Sequence, residues 1–205
     1  MSRNVSLIGA GGHARACVAL LRAAGCVVAH VWDEQVSSAQ EKVLDLPIES
    51  LPNVLPEGEL VLAIGDCHKR AALFAHFADK VGEPVVHPSA VIESSSHLEK
   101  GVLVGAGAFI GPEAQIGENT LINTHAVVEH ESQVGKHSHI SVGTILCGRV
   151  RVGDRCFIGA GAVVKDKVTI CDDVTVGAGA VVVASITEPG IYVGCPARKI
   201  VRSQS

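Results

Sequence analysis

Aliphatic side chains recur at every sixth position from residue 86 to residue 187. The first position of each hexad is Val, Ile or Leu in all seventeen repeats, from Val86 to Val182. The fifth position is never charged and never larger than Ile. A period of six fits neither a helix stripe nor strand alternation, but it fits a short strand followed by a turn. The pattern therefore predicts a solenoid.

Three hexads are expected to form one triangular coil, so seventeen hexads predict between five and six coils. The first-position residue would point inward, the recurrent second-position Gly (as in Val104-Gly105) would allow a tight bend, and the small fifth residue would fill the corner. Connection rules favour a right-handed crossover between parallel strands, so the repeat alone does not give a left hand. A rigid spacer or antifreeze surface is the non-catalytic alternative.

The first 85 residues have a different pattern, in which apolar runs alternate with helical segments. We predict strands at 5–8, 27–32 and 60–64, helices at about 14–24 and 68–80, and a loop-rich stretch at 35–59 that contains three prolines. This alternation indicates a parallel α/β unit, equivalent to half of a Rossmann fold. We predict two domains: residues 1–85, and residues 86–205 with a short C-terminal tail.

A glycine-rich turn follows the first predicted strand. Gly9 to Ala14 reads G-A-G-G-H-A, which matches G-x-G-x-x-G/A, and Asp33 ends the next strand. Backbone N–H groups at the helix start would hold phosphate, and Asp33 would reach a ribose. Because the domain is only half of a dinucleotide fold, we expect one nucleotide and not NAD. A turn needed only for packing is the alternative.

Ligands bind beyond the carboxyl ends of parallel strands, which meet at one edge of a sheet. The turn, the acidic pair after the second strand and the Gly-Asp pair after the third are therefore expected to line one pocket. The candidate substrate-binding residues are Gly11, Gly12, His13, Asp33, Glu34, Gly65 and Asp66.

Four of the ten histidines lie between residues 125 and 139. His130 is the third residue of its hexad and should face outward between Glu129 and Glu131, either of which would orient the ring for proton abstraction. Gly148 lies eighteen residues further, hence one coil along, where its N–H would meet an oxyanion. A zinc site is the rival interpretation, disfavoured because the four histidines do not share one hexad phase.

Composition excludes several functions. The 205 residues carry a net charge of −4, so no broad basic surface is expected for nucleic acid. The N-terminus lacks a signal-peptide pattern and no apolar run reaches membrane-spanning length, which predicts a cytoplasmic chain with no membrane contact. Seven cysteines without C-x-x-C spacing predict reduced thiols. We expect no metal.

Several motifs carry a resemblance to a known family. They are G-A-G-G-H-A, V-H-P-S-A, I-N-T-x-A-V-V-E-H-E, S-H-I-S-V-G and the terminal V-G-C-P-A-R-K-I. The whole chain resembles the bacterial nucleotide-sugar acetyltransferases, which comprise UDP-4-amino-sugar N-acetyltransferases and the related sialic acid O-acetyltransferases (NeuD-like). The resemblance implies a left-handed parallel β-helix and a homotrimer with active sites between neighbouring β-helices.

The resemblance also implies an activity, namely direct transfer of acetyl from acetyl-CoA to the amino group of a UDP-4-amino-4,6-dideoxy-sugar. Sugar or sialic acid O-acetylation is the alternative. A non-catalytic nucleotide-sugar sensor and a dinucleotide-dependent enzyme with a β-helix oligomerisation domain are rivals from other classes.

The resemblance assigns roles to residues of this chain. His130 is the general base with Glu131 as its partner, and the Gly148 amide binds the oxyanion. Asn123, His139, Pro196, Arg198 and Lys199 lie near acetyl-CoA, and the glycine turn with His13, Asp33 and Glu34 holds the nucleotide-sugar. Many relatives carry two Asn where this chain has Asp66-Cys67, which leaves the preferred base open.

Overall fold

The computed structural model describes residues 3–34 and 41–200. In chain order the elements of the N-terminal domain are β1 Asn4–Ile8, α1 Gly12–Ala23, β2 Val27–Asp33, β3 Lys42–Val43, β4 Leu46–Pro47, β5 Glu49–Ser50, β6 Glu59–Leu62 and α2 Cys67–Phe77. Four of the strands form a parallel sheet with strand order β5-β2-β1-β6. Helix α1 connects β1 to β2, and α2 follows β6.

The predicted loop-rich stretch at 35–59 also contains short strands in its described part. Residues 42–47 form a small antiparallel hairpin of β3 and β4, and β5 adds a fourth strand by pairing with Trp32 and Asp33 of β2. Two-residue strands are too short to show alternation, so they leave no recognisable pattern in the sequence. Residues 35–40 of that stretch lie outside the described residues.

Helix α1 starts earlier than predicted, at Gly12, so the glycine-rich turn runs directly into the helix. Gly11 is its N-cap residue in an extended conformation. Helix α2 starts at Cys67 because the Asp66 carboxylate accepts a hydrogen bond from the Lys69 N–H at 2.8 Å.

The second part of the chain is a left-handed parallel β-helix with three sheets. The docked face contains β7 Val85–Val86, β10 Leu103–Val104, β13 Leu121–Ile122, β16 His139–Ile140, β19 Phe157–Ile158 and β22 Val174–Val176, extended by β24 Gly190–Val193 and β25 Arg198–Lys199. The apolar face contains β8 Val91–Ile92, β11 Phe109–Ile110, β14 Val127–Val128, β17 Ile145–Leu146, β20 Val163–Val164 and β23 Val181–Val182. The polar face contains β9 His97–Leu98, β12 Gln115–Ile116, β15 Gln133–Val134, β18 Arg151–Val152 and β21 Thr169–Ile170.

Successive coils stack eighteen residues apart, as the repeat predicts. Leu103 pairs with Leu121, and Gln115 pairs with Gln133, both in parallel. First-position side chains such as Ile110 fill the interior. Each aliphatic side chain buried in this way contributes about 1.5–3 kcal/mol relative to exposure.

The small polar residues at fifth positions are buried and hydrogen-bonded between coils. The Ser138 hydroxyl donates to the Gly153 carbonyl at 2.8 Å and accepts the Cys156 N–H at 2.9 Å. The Thr120 hydroxyl likewise donates to the Gly135 carbonyl at 2.8 Å. These corners therefore join adjacent coils without leaving buried polar atoms unpaired.

The second-position glycines do not make the bend that the sequence predicts for them. A Cβ on Gly105 would lie 2.7 Å from the Thr124 backbone nitrogen, so glycine is needed there because the next coil passes so close. The chain bends instead at the fourth position, where residues from Gly101 to Gly179 adopt positive φ at six-residue intervals. Most of those residues are not glycine, for example Glu131 at φ 58°.

The N-terminal domain packs on the docked face of the solenoid. Val85, Leu103 and Leu121 point outward from that sheet into the same apolar cluster as Cys17 and Leu20 of α1. This packing places the end of the glycine-rich turn and the start of α2 against the coils that contain residues 119–139.

Candidate active site

His130 lies in the turn after β14 and is held by a glutamate. Its Nδ1 is 3.0 Å from Glu131 Oε2, and the same oxygen accepts a hydrogen bond from Arg149 Nε at 2.8 Å. A carboxylate can only accept, so Nδ1 carries the proton and Nε2 presents a lone pair. Of the two flanking glutamates, Glu131 orients the ring, whereas Glu129 accepts the His130 backbone N–H.

The carboxylate of Glu131 is kept ionised. Hydrogen bonds from Arg149, and then from His130, hold the pKa of Glu131 below its usual range. An ionised carboxylate also accepts the Nδ1–H hydrogen bond and so keeps the His130 ring oriented.

The His130 ring covers Gly148 of the next coil. A Cβ at Gly148 would lie 2.5 Å from His130 Nε2, so only glycine leaves room for the ring. The predicted adjacency of these two residues is therefore present in the structure. A main-chain amide next to a proton acceptor is the arrangement that acyl transfer requires.

Asn123 and His139 form a second group, on the docked face. The Asn123 amide Nδ2 donates to His139 Nε2 at 3.1 Å, and His139 Nδ1 is 3.4 Å from the Gly65 carbonyl. Burial, together with the positive charge of Arg70, lowers the pKa of His139 to about 3. The ring is therefore neutral near pH 7 and both of its nitrogens are occupied.

His13 turns toward the solenoid and away from the glycine-rich turn. Its ring centroid lies 5.7 Å from that of His139. Burial and the nearby Arg70 lower its pKa, and its buried Nε2 has no hydrogen-bond partner among the described residues. His13 and Asn123 line a cavity of about 290 Å³ between α1 and the docked face.

Four other residues of the predicted nucleotide site line a different cavity, of about 580 Å³. Its walls include Gly11, Asp33, Glu34, Asp66 and Lys69. One carboxylate oxygen of Asp33 accepts the Ala10 N–H at 2.7 Å and so fixes the turn.

Two predicted substrate-binding glycines lie at the margin of that cavity. Gly12 begins α1 at the turn. Gly65, between the cavity residues Ile64 and Asp66, directs its carbonyl toward His139 and Arg70.

The C-terminal residues predicted near coenzyme A lie at the far end of the docked face. Arg198 and Lys199 form β25, which is separated from His139 by β19, β22 and β24, and Pro196 precedes them. Four inter-strand steps correspond to about 19 Å. Lys199 Nζ pairs with Glu188 Oε2 at 3.0 Å, and both Arg198 and Lys199 are exposed.

One protomer does not bring all predicted site residues together. Asn123 follows a strand of the docked face, whereas His130 follows the next strand, on the apolar face. The two residues therefore lie at different corners of the triangular coil, with the apolar face between them. Within residues 3–34 and 41–200, no group of three His, Cys, Asp or Glu side chains is placed to hold a metal ion.

Sequence reasoning missed three residues of this region. Arg149 lies eighteen residues after Glu131, so the repeat register would have found it. Lys69 lies in the first turn of α2, three residues after the predicted pocket residue Asp66, and that spacing could have indicated a cation near the pocket. Arg70 has none, because nothing in its local sequence indicates that a charged side chain is fully buried. Over the described part of the chain, no helix has the length and apolar character to cross a bilayer.

Two family models match the chain. The PglD N-terminal domain matches residues 4–77, and the bacterial transferase hexapeptide (six repeats) matches residues 149–184. No curated protein sequence matches.

Solved structures match the whole chain. GDP-perosamine N-acetyltransferase from Caulobacter crescentus, as a histidine-to-alanine mutant in complex with CoA and GDP-perosamine, is 36% identical with a TM-score of 0.90 over 97% of both chains. The acetyltransferase domain of PglB from Neisseria gonorrhoeae FA1090, in complex with acetyl coenzyme A, is 27% identical with a TM-score of 0.87 over 98% of this chain and 100% of that one.

The two family models match the two parts of this chain, and solved acetyltransferase structures match it along almost its full length. This chain belongs to the left-handed β-helix nucleotide-sugar acetyltransferases.

Proposed function

We propose that this protein transfers acetyl from acetyl-CoA to the amino group of a nucleotide-linked amino-sugar, with His130 as general base. The observation that carries this proposal is the oriented His130 ring, with Nδ1 held by Glu131 and Nε2 next to the Gly148 main chain. The likeness to N-acetyltransferases along the whole chain supports the same reaction.

The proposed mechanism is direct attack. The sugar amine attacks the thioester carbonyl, a C–N bond forms, and His130 Nε2 takes the proton from the nitrogen. The Gly148 N–H stabilises the oxyanion. The C–S bond then breaks, and the proton passes from His130 to the leaving thiolate of coenzyme A. No acyl-enzyme is needed; burial raises the pKa of Cys156, which leaves its thiol protonated.

For acetyl-CoA we propose a site along the solenoid. Asn123, His139 and Gly148 would lie near the acyl group, with Pro196, Arg198 and Lys199 near the phosphate-bearing end. The two exposed cations suit the phosphates of an extended cofactor.

For the nucleotide we propose the cavity at the glycine-rich turn. Gly11 and Gly12 would approach the phosphates at the start of α1, and Asp33 and Glu34 would bind hydroxyl groups. The UDP-sugar expected from the sequence stays a prediction. The similar Caulobacter enzyme was solved with GDP-perosamine, so a GDP-sugar is an equal candidate.

We also propose a homotrimer, because the apolar face is left uncovered on a single chain. Its outward residues are all apolar, and Val91 and Ile145 are 53% and 39% exposed. The N-terminal domain covers the docked face, and the polar face carries residues such as Gln133 and Arg151. A neighbouring copy on the apolar face would bring its His130 toward Asn123 of the first.

The test is a panel of acceptors incubated with the purified protein and acetyl-CoA, read by thiol release and mass spectrometry. We expect N-acetylation of a UDP- or GDP-linked 4-amino-sugar. Thiol release with sialic acid alone would instead identify an O-acetyltransferase. Nucleotide-sugar binding without any acetylation would identify a sensor. Tight NAD binding without nucleotide-sugar binding would contradict the proposal that the N-terminal domain binds a nucleotide-sugar.

A further inference from the structure

Arg70 is the largest side chain that is fully buried in the described structure, and no carboxylate of the described residues forms an ion pair with it. Burial of the guanidinium lowers the pKa of Arg70. A buried charge without an ionic partner is retained at a large desolvation penalty unless its donors are all satisfied.

Five main-chain carbonyls accept hydrogen bonds from Arg70, and its Nη2 also lies 3.8 Å from Cys67 Sγ. Nη1 donates to Ile64 O at 2.8 Å and to Gly65 O at 3.2 Å. Nη2 donates to His137 O at 2.6 Å and to Ser138 O at 3.1 Å, and Nε donates to Asn119 O at 3.1 Å. Arginine has five N–H donors in a rigid planar fork, as many as the carbonyls that accept from it here.

These carbonyls belong to two parts of the molecule. Ile64 and Gly65 form the loop after β6, beside the nucleotide cavity. Asn119 and His137 lie eighteen residues apart, in two successive coils of the solenoid. Arg70 thus joins a loop of the N-terminal domain to two stacked coils at once.

The connection continues into the candidate active site. The Gly65 carbonyl that accepts Arg70 Nη1 also faces His139 Nδ1, and His139 Nε2 accepts from Asn123. A continuous set of hydrogen bonds therefore links Arg70 to the residues proposed to lie near the acetyl group.

We infer that Arg70 is a positioning residue that fixes the nucleotide-binding loop relative to the acetyl-transfer residues on the solenoid. This inference rests on the proposed function. Binding energy from the nucleotide aids the reaction only if the domain that binds it is held in place relative to the reacting carbonyl. A displacement of the bound substrate by about 1 Å, caused by a substitution far from the reacting atoms, lowers the rate by about 10²-fold.

The experiment compares Arg70→Lys and Arg70→Gln with wild type, and uses Arg22→Lys as the matched control, since Arg22 is an exposed arginine on α1 paired with Asp45. Lysine keeps the charge but not the planar fork, so it cannot reach both groups of carbonyls. We expect kcat to fall about 10²-fold in Arg70→Lys and further in Arg70→Gln. Dissociation constants of UDP, GDP and CoA, measured by calorimetry, should stay unchanged.

A second measurement does not depend on activity. Hydrogen exchange of residues 59–77 should accelerate in both Arg70 variants, while the solenoid strands and β1 keep their protection. Unchanged kcat in a folded Arg70 variant would overturn the inference, as would equal losses of kcat and nucleotide affinity. If wild type acetylates no nucleotide-sugar, the proposed function fails, and unchanged exchange at 59–77 would then refute the positioning role separately.

Discussion

At the scale of single residues, two histidines of the same solenoid have different environments. His139 is buried, both of its nitrogens are engaged, and its pKa is lowered to about 3. Such a ring orients its neighbours but cannot accept a proton near pH 7. His130 is half exposed, and its Nε2 is available. The assignment of the base therefore follows from hydrogen bonding and not from the number of histidines nearby.

If His130 is the base, His130→Ala should lower kcat about 10²–10⁴-fold at neutral pH. The loss should be larger at pH 6–7 than at pH 9, where more of the substrate amine is already deprotonated. Acetyl-CoA affinity should barely change, because the imidazole acts on the acceptor. Steady-state kinetics across this pH range, with calorimetry of CoA binding, would measure both effects.

His97→Ala is the matched control, since His97 is an exposed histidine on the polar face, and it should remain fully active. Gly148→Ala should reproduce the kcat loss because its Cβ would displace the His130 ring. Retained activity in His130→Ala, together with inactivity of His125→Ala or His139→Ala, would transfer the role to that other histidine.

At the scale of elements, the turns of the solenoid depend on left-handed backbone conformations. A residue with positive φ recurs every six positions from Gly101 to Gly179, and only some of these are glycine. For residues with a Cβ, the left-handed region costs about 1–2 kcal/mol each. Contacts between stacked coils must offset this cost at many turns. Residues such as Arg, Lys and Glu are therefore tolerated at the fourth hexad position.

Gly161 is a suitable position at which to measure the cost of the left-handed conformation, because its φ is 66° and a Cβ there would meet no atom within 4 Å. Gly161→Ala should lower the free energy of unfolding by about 1 kcal/mol, through backbone strain alone. Gly161→Asn should lower it less, since Asn tolerates the left-handed region. Denaturant unfolding followed by circular dichroism would measure both, and equal stability of Gly161→Ala and wild type would contradict this account.

At the scale of the whole molecule, the three faces of the solenoid have different surroundings. The N-terminal domain covers the docked face, while the polar face carries hydrophilic side chains. The apolar face lies between the corners that hold Asn123 and His130. Association through the apolar face is favourable because it buries the exposed aliphatic residues of that face.

Ile145→Glu should therefore dissociate the proposed trimer, since a carboxylate would be buried at the centre of that face. We expect light scattering at micromolar concentration to show a folded monomer with little acetyltransferase activity. Gln133→Glu places the same charge on the polar face and should leave both the mass and the activity unchanged. A wild-type protein that is monomeric and active would refute the shared site.

The sequence by itself determined the elements whose signal is local and repeated. The hexad fixed the solenoid strands and their inward residues, because one aliphatic position in six specifies which way each short strand faces. Its register also placed Gly148 beside His130. The glycine-rich turn indicated the strand–turn–helix unit. The left hand and the residue roles came from the resemblance, since the repeat alone does not distinguish the hands.

Only the tertiary structure decided how the two parts meet. It turned His13 toward His139 and buried Arg70 among five carbonyls. Each of these facts depends on packing between residues far apart in the chain. Side-chain burial and hydrogen-bond partners at such a contact depend on the surface presented by the other domain, and no period or motif in one segment encodes that surface.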